Sequence, residues 1–355
     1  MKNVFRNIPI LPALLLAVML MLSACGNQGE AERTADTPAG AGTEAPHKLT
    51  IMLDWYPNAV HSFLYAAEKN GYFAEEGLEV EIQMPSDSND ALKLVAADKI
   101  DLALTYQPQV LMARGENIPV VSIGAIVRHP LNHLMVAEGS GIQSPKDLAG
   151  KAVGYSSIPL YEAMLRTMVT SDGGDANSVK LIDVGFDLVP AISTGQVEGI
   201  MGGFINHEQL ILEQEGHPVT SLNPTDYGVP DYYELVLATS DQGLLKSEAD
   251  FRKFLKAAAK GQQYVAEHPE DALALLLEHE NETSPLDKNI EQKSLQILLP
   301  LMDAGDQPFG YQSPESWDKV HQWLTDNNLL SNEVKTQAAY ANLAGDRSES
   351  NNLEE

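Results

Sequence analysis

The sequence predicts an α/β protein of two lobes joined by a hinge. Short β-rich runs alternate with longer helical ones from Lys48 onward, a second set of the same kind begins after Gly139-Ser140-Gly141, and a return strand precedes a helix-rich C-terminal part. Such alternation implies mainly parallel sheets covered on both faces, which bind ligands beyond the carboxyl ends of their strands. The first lobe is expected from residues 48–137 plus 236–345 and the second from 138–235. Chain crossings near Val136–Glu138 and Val236–Thr239 are the expected hinge, and the interlobe cleft closes on a ligand.

In the first lobe, Lys48–Leu53 reads as a strand and His61–Asn70 as a helix ending at Gly71, a residue suited to the left-handed turn after a helix. Leu78–Gln83 is the next strand, Asn89–Ala97 a helix, Leu102–Thr105 a buried strand, Val110–Arg114 a short helix and Val120–Val127 another strand. In the second lobe, a helical turn at Ser144–Leu148 precedes the strand Ala152–Tyr155 and the helix Leu160–Val169. Lys180–Asp183 and Gly199–Gly202 read as strands on either side of the helical Leu188–Thr194, and His207–Gln214 is helical. Leu235–Thr239 is the return strand. Beyond it, Phe251, Phe254, Leu255, Ala258 and Val265 recur at helical spacing in Asp250–Glu267, which stops before Pro269, and Trp317, Val320 and Leu324 share one helix face.

At 355 residues, 44% hydrophobic and 21% charged, the chain is long and apolar enough for a sizeable core, which excludes disorder throughout. The net charge of −27 with no basic patch argues against a nucleic-acid partner. The single cysteine excludes an intramolecular disulfide, a thiolate zinc site and an iron–sulfur cluster. Lys2 and Arg6 precede an apolar run from Ile8 to Leu22 that ends in Leu22-Ser23-Ala24-Cys25. Residues 1–24 therefore read as a secretion signal, and the last four residues resemble a bacterial lipobox, which implies lipid on Cys25. Losing residues 1–24 removes two cations and no acid, so the charge moves from −27 to −29 and anchoring on the outer face of the cell membrane falls to the lipid alone. Residues 25–47 hold the lipidated cysteine and a tether of Gly, Ala, Glu, Thr and Pro that lacks apolar periodicity, and the polar tail 346–355 is expected to be disordered.

The densest functional candidate is the run from Leu53 to His61, which leaves a strand and opens a helix. Trp55 offers a flat stacking surface and Asn58 both a donor and an acceptor. Read as purely structural residues, Trp55 anchors a core, Asn58 caps a helix and His61 lies on the surface. Tyr106 follows a buried strand where ligands of parallel sheets collect. Ser156 and Ser157 follow the Tyr155 strand, and a capping role ranks above a binding one for them.

The run LDWYPNAVH, the segment from Gly71 to Leu78, the segment Asp147–Tyr155, the segment Gly195–Gly199 and the run GVPDYYELV at 228–236 together resemble the NMT1/THI5-like family. The resemblance covers roughly residues 48–345. It implies a type II periplasmic-binding-protein fold that closes on a formylated aminopyrimidine, a thiamine precursor, and delivers it as a monomer to an ABC permease. A flat ligand with an exocyclic amine needs an aromatic wall and in-plane Glu or Asn partners. Trp55 supplies one wall, with Tyr155, Tyr232 or Tyr233 facing it; Glu208 accepts from the amine and Asn206 meets another edge. Ser156, Tyr106, His61 and Glu234 complete the candidate set. As a purely structural residue, Glu208 is a helix-start acid favoured by the dipole. The alternative ligands are another flat or anionic solute, riboflavin or a sulfonate; a sulfonate pocket would favour Arg or helix N-termini over a carboxylate.

The rival class is an enzyme, because fungal members of the family are pyrimidine synthases that use pyridoxal phosphate and their own histidine. The matched region here reads Thr105-Tyr106-Gln107-Pro108-Gln109 without Lys or His, and the segment aligned with the iron motif has no cysteine. His207-Glu208 lacks a second histidine at 211, and Ser156-Ser157 is followed by Ile158 where a nucleophile elbow needs Gly. Pro130 between His129 and His133 argues against a helical metal pair, which leaves both as surface histidines. The sequence thus predicts binding without catalysis, cofactor or metal.

Overall fold

The structure, a computed structural model, describes residues 45–87, 90–280 and 285–345. The expected signal segment, the lipidated Cys25, the tether up to Glu44 and the tail 346–355 lie outside the described residues. The tether's expected end at His47 does not hold. His47 opens the first strand, pairs with Leu78 and places its Nδ1 2.7 Å from Asp250 Oδ2.

The chain runs through β1 (His47–Met52), α1 (Ser62–Lys69), α2 (Tyr72–Glu75), β2 (Leu78–Gln83), α3 (Ala91–Ala96), β3 (Leu102–Thr105), α4 (Gln107–Gly115) and β4 (Val120–Val127). It crosses and continues as β5 (Asn132–Ala137), β6 (Ala152–Tyr155), α5 (Pro159–Ser171), β7 (Lys180–Asp183), α6 (Leu188–Ser193), β8 (Gly199–Phe204), α7 (Glu208–Gln214) and β9 (Val219–Leu222). It returns as β10 (Leu235–Ser240) and ends in α8 (Asp241–Glu267), α9 (Pro269–Leu277), α10 (Lys288–Met302) and α11 (Pro314–Asp326).

Two five-stranded sheets result, ordered β2-β1-β3-β10-β4 and β7-β6-β8-β5-β9. Each is mixed: four strands run one way and one against them, so the expectation of mainly parallel sheets holds except for β10 and β5. β10 is antiparallel to both β3 and β4, and β5 is antiparallel to both β8 and β9, because each enters its sheet on a pass between lobes without a helical crossover. The hinge moves as well. Val136 lies inside the second sheet and Val236–Thr239 inside the first, so the crossings are residues 128–131 and 223–234.

β4, at the end of its sheet, and β10, inside it, are both buried along their whole length and read as near-continuous apolar runs, as strands covered on both faces do. Helix α8 packs against α1, and its buried Phe254 stacks on Phe73 of α2 with ring centroids 5.1 Å apart. A Cβ at Gly261 would run into the carbonyl oxygen of Phe63, so only glycine permits that approach.

Candidate functional site

Leu53 ends the β1 run, and the next residue, Asp54, is buried at 4% exposure. Asn58 then opens a short 3-10 turn, Ala59–His61: its Oδ1 accepts from the Val60 N–H at 3.0 Å while its own N–H donates to His61 Nδ1 at 3.2 Å. A ring nitrogen that accepts carries no proton, so the hydrogen-bond network assigns the His61 proton to Nε2, which donates to Asp54 Oδ1 at 2.9 Å. The Tyr106 hydroxyl, just beyond β3, donates to Asp54 Oδ2 at 3.1 Å. Burial raises the Tyr106 phenol well above its usual range, and neighbouring Tyr161 and Asp54 add to the effect.

The second lobe faces this cluster with Tyr161 from α5, Gly202 and Phe204 from β8, and His207 and Glu208 at the start of α7. Gly202 has φ +107°, and a Cβ there would stand 2.9 Å from the Tyr161 ring and 3.1 Å from Ser156 Oγ. Asn132 Oδ1 accepts from the Gly202 N–H at 2.7 Å and ties β5 to this wall. The cavity between the lobes is lined by Asp54, Trp55, Asn58, Tyr106, Tyr161, Gly202, Phe204, His207 and Glu208. Its volume is about 290 Å³, including space open to solvent. Its two carboxylates stand among aromatic rings, with no Arg or Lys among the described lining residues.

Glu208 Oε2 accepts from the Phe204 N–H at 2.7 Å, and Oε1 lies 2.8 Å from His207 Nδ1. Burial alone would lower His207, but Glu208 and Glu291 outweigh it and raise its pKa to about 9. Glu291, on α10 of the first lobe, is 1% exposed; its Oε2 accepts from the Ala59 N–H at 2.7 Å and its Oε1 is 4.0 Å from His207 Nε2. The seam between α7 and α10 also carries Asn206 Nδ2 donating to Ser294 Oγ at 2.9 Å and Gln214 Nε2 donating to Asp287 Oδ2 at 2.9 Å.

Of the residues expected at the site, Trp55, Asn58, Tyr106 and Glu208 line the cavity. Asn58 also takes its capping role, and His61, expected either in the site or on the surface, is fully buried behind Asp54. Asn206 is buried at the seam with Oδ1 unpartnered. The tyrosines do not face Trp55. Phe186, from the loop after β7, does: its ring centroid is 4.4 Å from that of Trp55 and 4.9 Å from that of Tyr56. Tyr155 ends β6 half-buried, and the Tyr233 hydroxyl accepts from the Ser313 N–H at 2.8 Å on the far side of the hinge. Tyr232 and Glu234 are in the hinge itself, where Glu234 Oε2 accepts from Leu131 N–H, Asn132 N–H and the Tyr232 hydroxyl at 2.7, 2.8 and 2.9 Å.

The expected serine caps are absent: Ile158 occupies the cap position of α5, Ser156 Oγ is buried without a partner, and Ser157 donates to Asp183 instead. His133 is half-buried and only His129 is exposed, beside Asp231 at 3.0 Å; no group of three metal-ligating side chains occurs among the described residues. Sequence reasoning missed Asp54, Tyr161, Phe186 and Glu291. Glu291 alone left a readable signal, since it shares a helix face with Leu295, Leu298 and Met302, where an acid needs a buried partner.

The family described as NMT1/THI5 like matches residues 58–272. A formylaminopyrimidine-binding protein of Halalkalibacterium halodurans is 43% identical over 330 residues, 93% of this chain and 97% of that protein. A 4-amino-5-hydroxymethyl-2-methylpyrimidine phosphate synthase of Legionella pneumophila is 25% identical over 300 residues, 83% of this chain and 91% of that one. Among solved structures, the alkanesulfonate-binding protein SsuA from Xanthomonas axonopodis pv. citri bound to MOPS superposes with a TM-score of 0.67 at 14% identity, covering 84% of this chain and 99% of that one. That likeness establishes the periplasmic-binding-protein fold, and the family match over residues 58–272 with the 43% identical relative places the chain in the NMT1/THI5-like family.

Proposed function

We propose that this protein is the substrate-binding component of an ABC importer and that its ligand is a formylated aminopyrimidine of the thiamine-precursor type. The observation that carries the reading is the cavity lining: buried Asp54 and Glu208 among Trp55, Tyr106, Tyr161 and Phe204, with His207 the one cation among the described lining residues and already paired with Glu208. A flat ring with an exocyclic amine needs aromatic faces and anionic acceptors, whereas a sulfonate needs donors and positive charge. Glu208 has both oxygens engaged, yet a carboxylate offers about four acceptor positions, so it still has room for an amine N–H. Asp54 is the second acceptor, and Trp55 with Phe186 forms the aromatic edge. The relative named for formylaminopyrimidine binding supports this ligand class at 43% identity.

Delivery follows from anchoring. In this reading Cys25 carries lipid after removal of residues 1–24, and the folded part works as a tethered monomer on the outer face of the cell membrane, handing its ligand to the permease. Nothing is transformed, because the segment matched to the synthase active region, Thr105–Gln109, has neither the lysine nor the histidine that pyridoxal chemistry uses.

Titration calorimetry with a formylaminopyrimidine, riboflavin and an alkanesulfonate tests the reading. Micromolar or tighter binding of the pyrimidine alone is expected. Preference for the sulfonate or the flavin, or formation of pyrimidine on incubation with pyridoxal phosphate, would overturn it.

A further inference from the structure

Two carboxylates face each other across the seam, and each is fixed from within its own lobe. Glu208 Oε2 takes the Phe204 N–H of the second lobe, and Glu291 Oε2 takes the Ala59 N–H of the first. The remaining oxygen of each turns toward one imidazole: His207 Nδ1 is 2.8 Å from Glu208 Oε1, and His207 Nε2 is 4.0 Å from Glu291 Oε1. We propose that His207 is the closing contact of the cleft and the positioning residue for Glu208, its imidazolium shared between the ligand wall of one lobe and a buried carboxylate of the other. The proposal rests on the aminopyrimidine reading for the role of Glu208, and on the seam alone for closure.

The physical argument is the sign of the charge across the gap. Without a cation, Glu208 and Glu291 repel at a buried seam; with one, the same geometry attracts. At 4.0 Å the contact with Glu291 is an ion pair and too long for a hydrogen bond, so it tolerates the movement of one lobe past the other. The charged or titratable groups around His207 are Glu208 on its own helix, Glu291 from α10, His61 behind Glu291 and Asp54 across the cavity. The other seam contacts, Asn206 with Ser294 and Gln214 with Asp287, involve no such charge exchange.

In the closed form Glu208 and Glu291 outweigh burial and hold the His207 proton up to about 9; above that the two carboxylates face each other without a cation and the seam loses this attraction.

Small-angle scattering of the purified protein between pH 7 and 10.5, paired with calorimetry on a formylaminopyrimidine, reads the two consequences separately. The wild type is expected to expand as pH passes about 9 and to lose about tenfold in affinity. His207→Gln should be expanded already at pH 7, about tenfold weaker and flat across the range. Glu291→Gln, which leaves His207 beside Glu208, should show the same loss of closure. If both variants keep the wild-type radius and pH profile, the proposal is overturned. If the wild type ignores the pyrimidine while the pH-dependent expansion persists and His207→Gln abolishes it, closure by His207 stands and only the ligand reading fails.

Discussion

Glu234 in the hinge and Glu291 at the seam are equally buried, at 0% and 1% exposure, yet they are satisfied in opposite ways. Glu234 collects neutral donors on one oxygen and leaves the other without a partner. Burial pushes its pKa up to about 7 against the help of those donors. Burial also raises Glu291, but His207 opposes the rise. Of Glu234's partners, Leu131 and Tyr232 belong to the two crossing segments and Asn132 opens β5 directly after the first, whereas the charge facing Glu291 belongs to the other lobe. A joint that must survive opening is built from neutral hydrogen bonds within the hinge, and a contact that must break is built from charge between the lobes.

Four substitutions test that contrast, beginning with the largest effect. Glu234→Ala strands two backbone N–H groups and the Tyr232 hydroxyl in the hinge; at roughly 1–3 kcal/mol for each unsatisfied group, a loss of about 4 kcal/mol in urea unfolding is expected. A loss below about 1 kcal/mol would remove Glu234 as the tie between the crossings. Glu234→Gln addresses charge alone. Because the folded carboxyl titrates near 7 and the unfolded one near 4.5, its stabilising contribution is complete below about 4.5 and is lost as pH rises through about 7, a change of roughly 3 kcal/mol. The glutamine variant should flatten the difference in unfolding free energy between pH 4.5 and pH 8, and an unchanged slope would assign it to another group.

Trp55→Ala probes the cleft between these two ends. Losing a stacking surface of this kind weakens pyrimidine binding at least tenfold, about 1.4 kcal/mol, while unfolding changes less, since the ring is only half-buried. Unchanged affinity in calorimetry would place the ligand elsewhere. Gln214→Ala removes an exposed, uncharged-to-acid hydrogen bond of the same seam and should shift affinity by about twofold or less. A tenfold effect there would show that any contact between α7 and α10 closes the cleft, and His207 would lose its special place.

The elements with strong local patterns were legible: β1 to β4, β10, α5 and the apolar face of α8 all lie where periodicity puts them. β5 and β9 were not, because a short apolar run such as 132–137 carries no mark of the sheet it joins, and that choice set the hinge. At the site, Trp55, Asn58 and Tyr106 follow from their places after strands and before helices, where side chains converge, whereas Glu208 follows only from the family resemblance. Tyr161 sits two residues inside α5 among apolar neighbours and looks like core. Phe186 follows a loop glycine with no periodic context, and Glu291 reaches Ala59 from far along the chain, a contact that no local pattern encodes.

The place of β10 between β3 and β4 sets an order of assembly. All strands of the second sheet are synthesised after β4 and before β10, so the later lobe can finish its own pairing while the earlier one still has a slot in its middle. Until residues 235–240 arrive, β3 and β4 present open edges to any passing strand. For a nascent chain, then, the half that is made first is the half that matures last, and it needs protection from mispairing for most of the time it takes to make the rest.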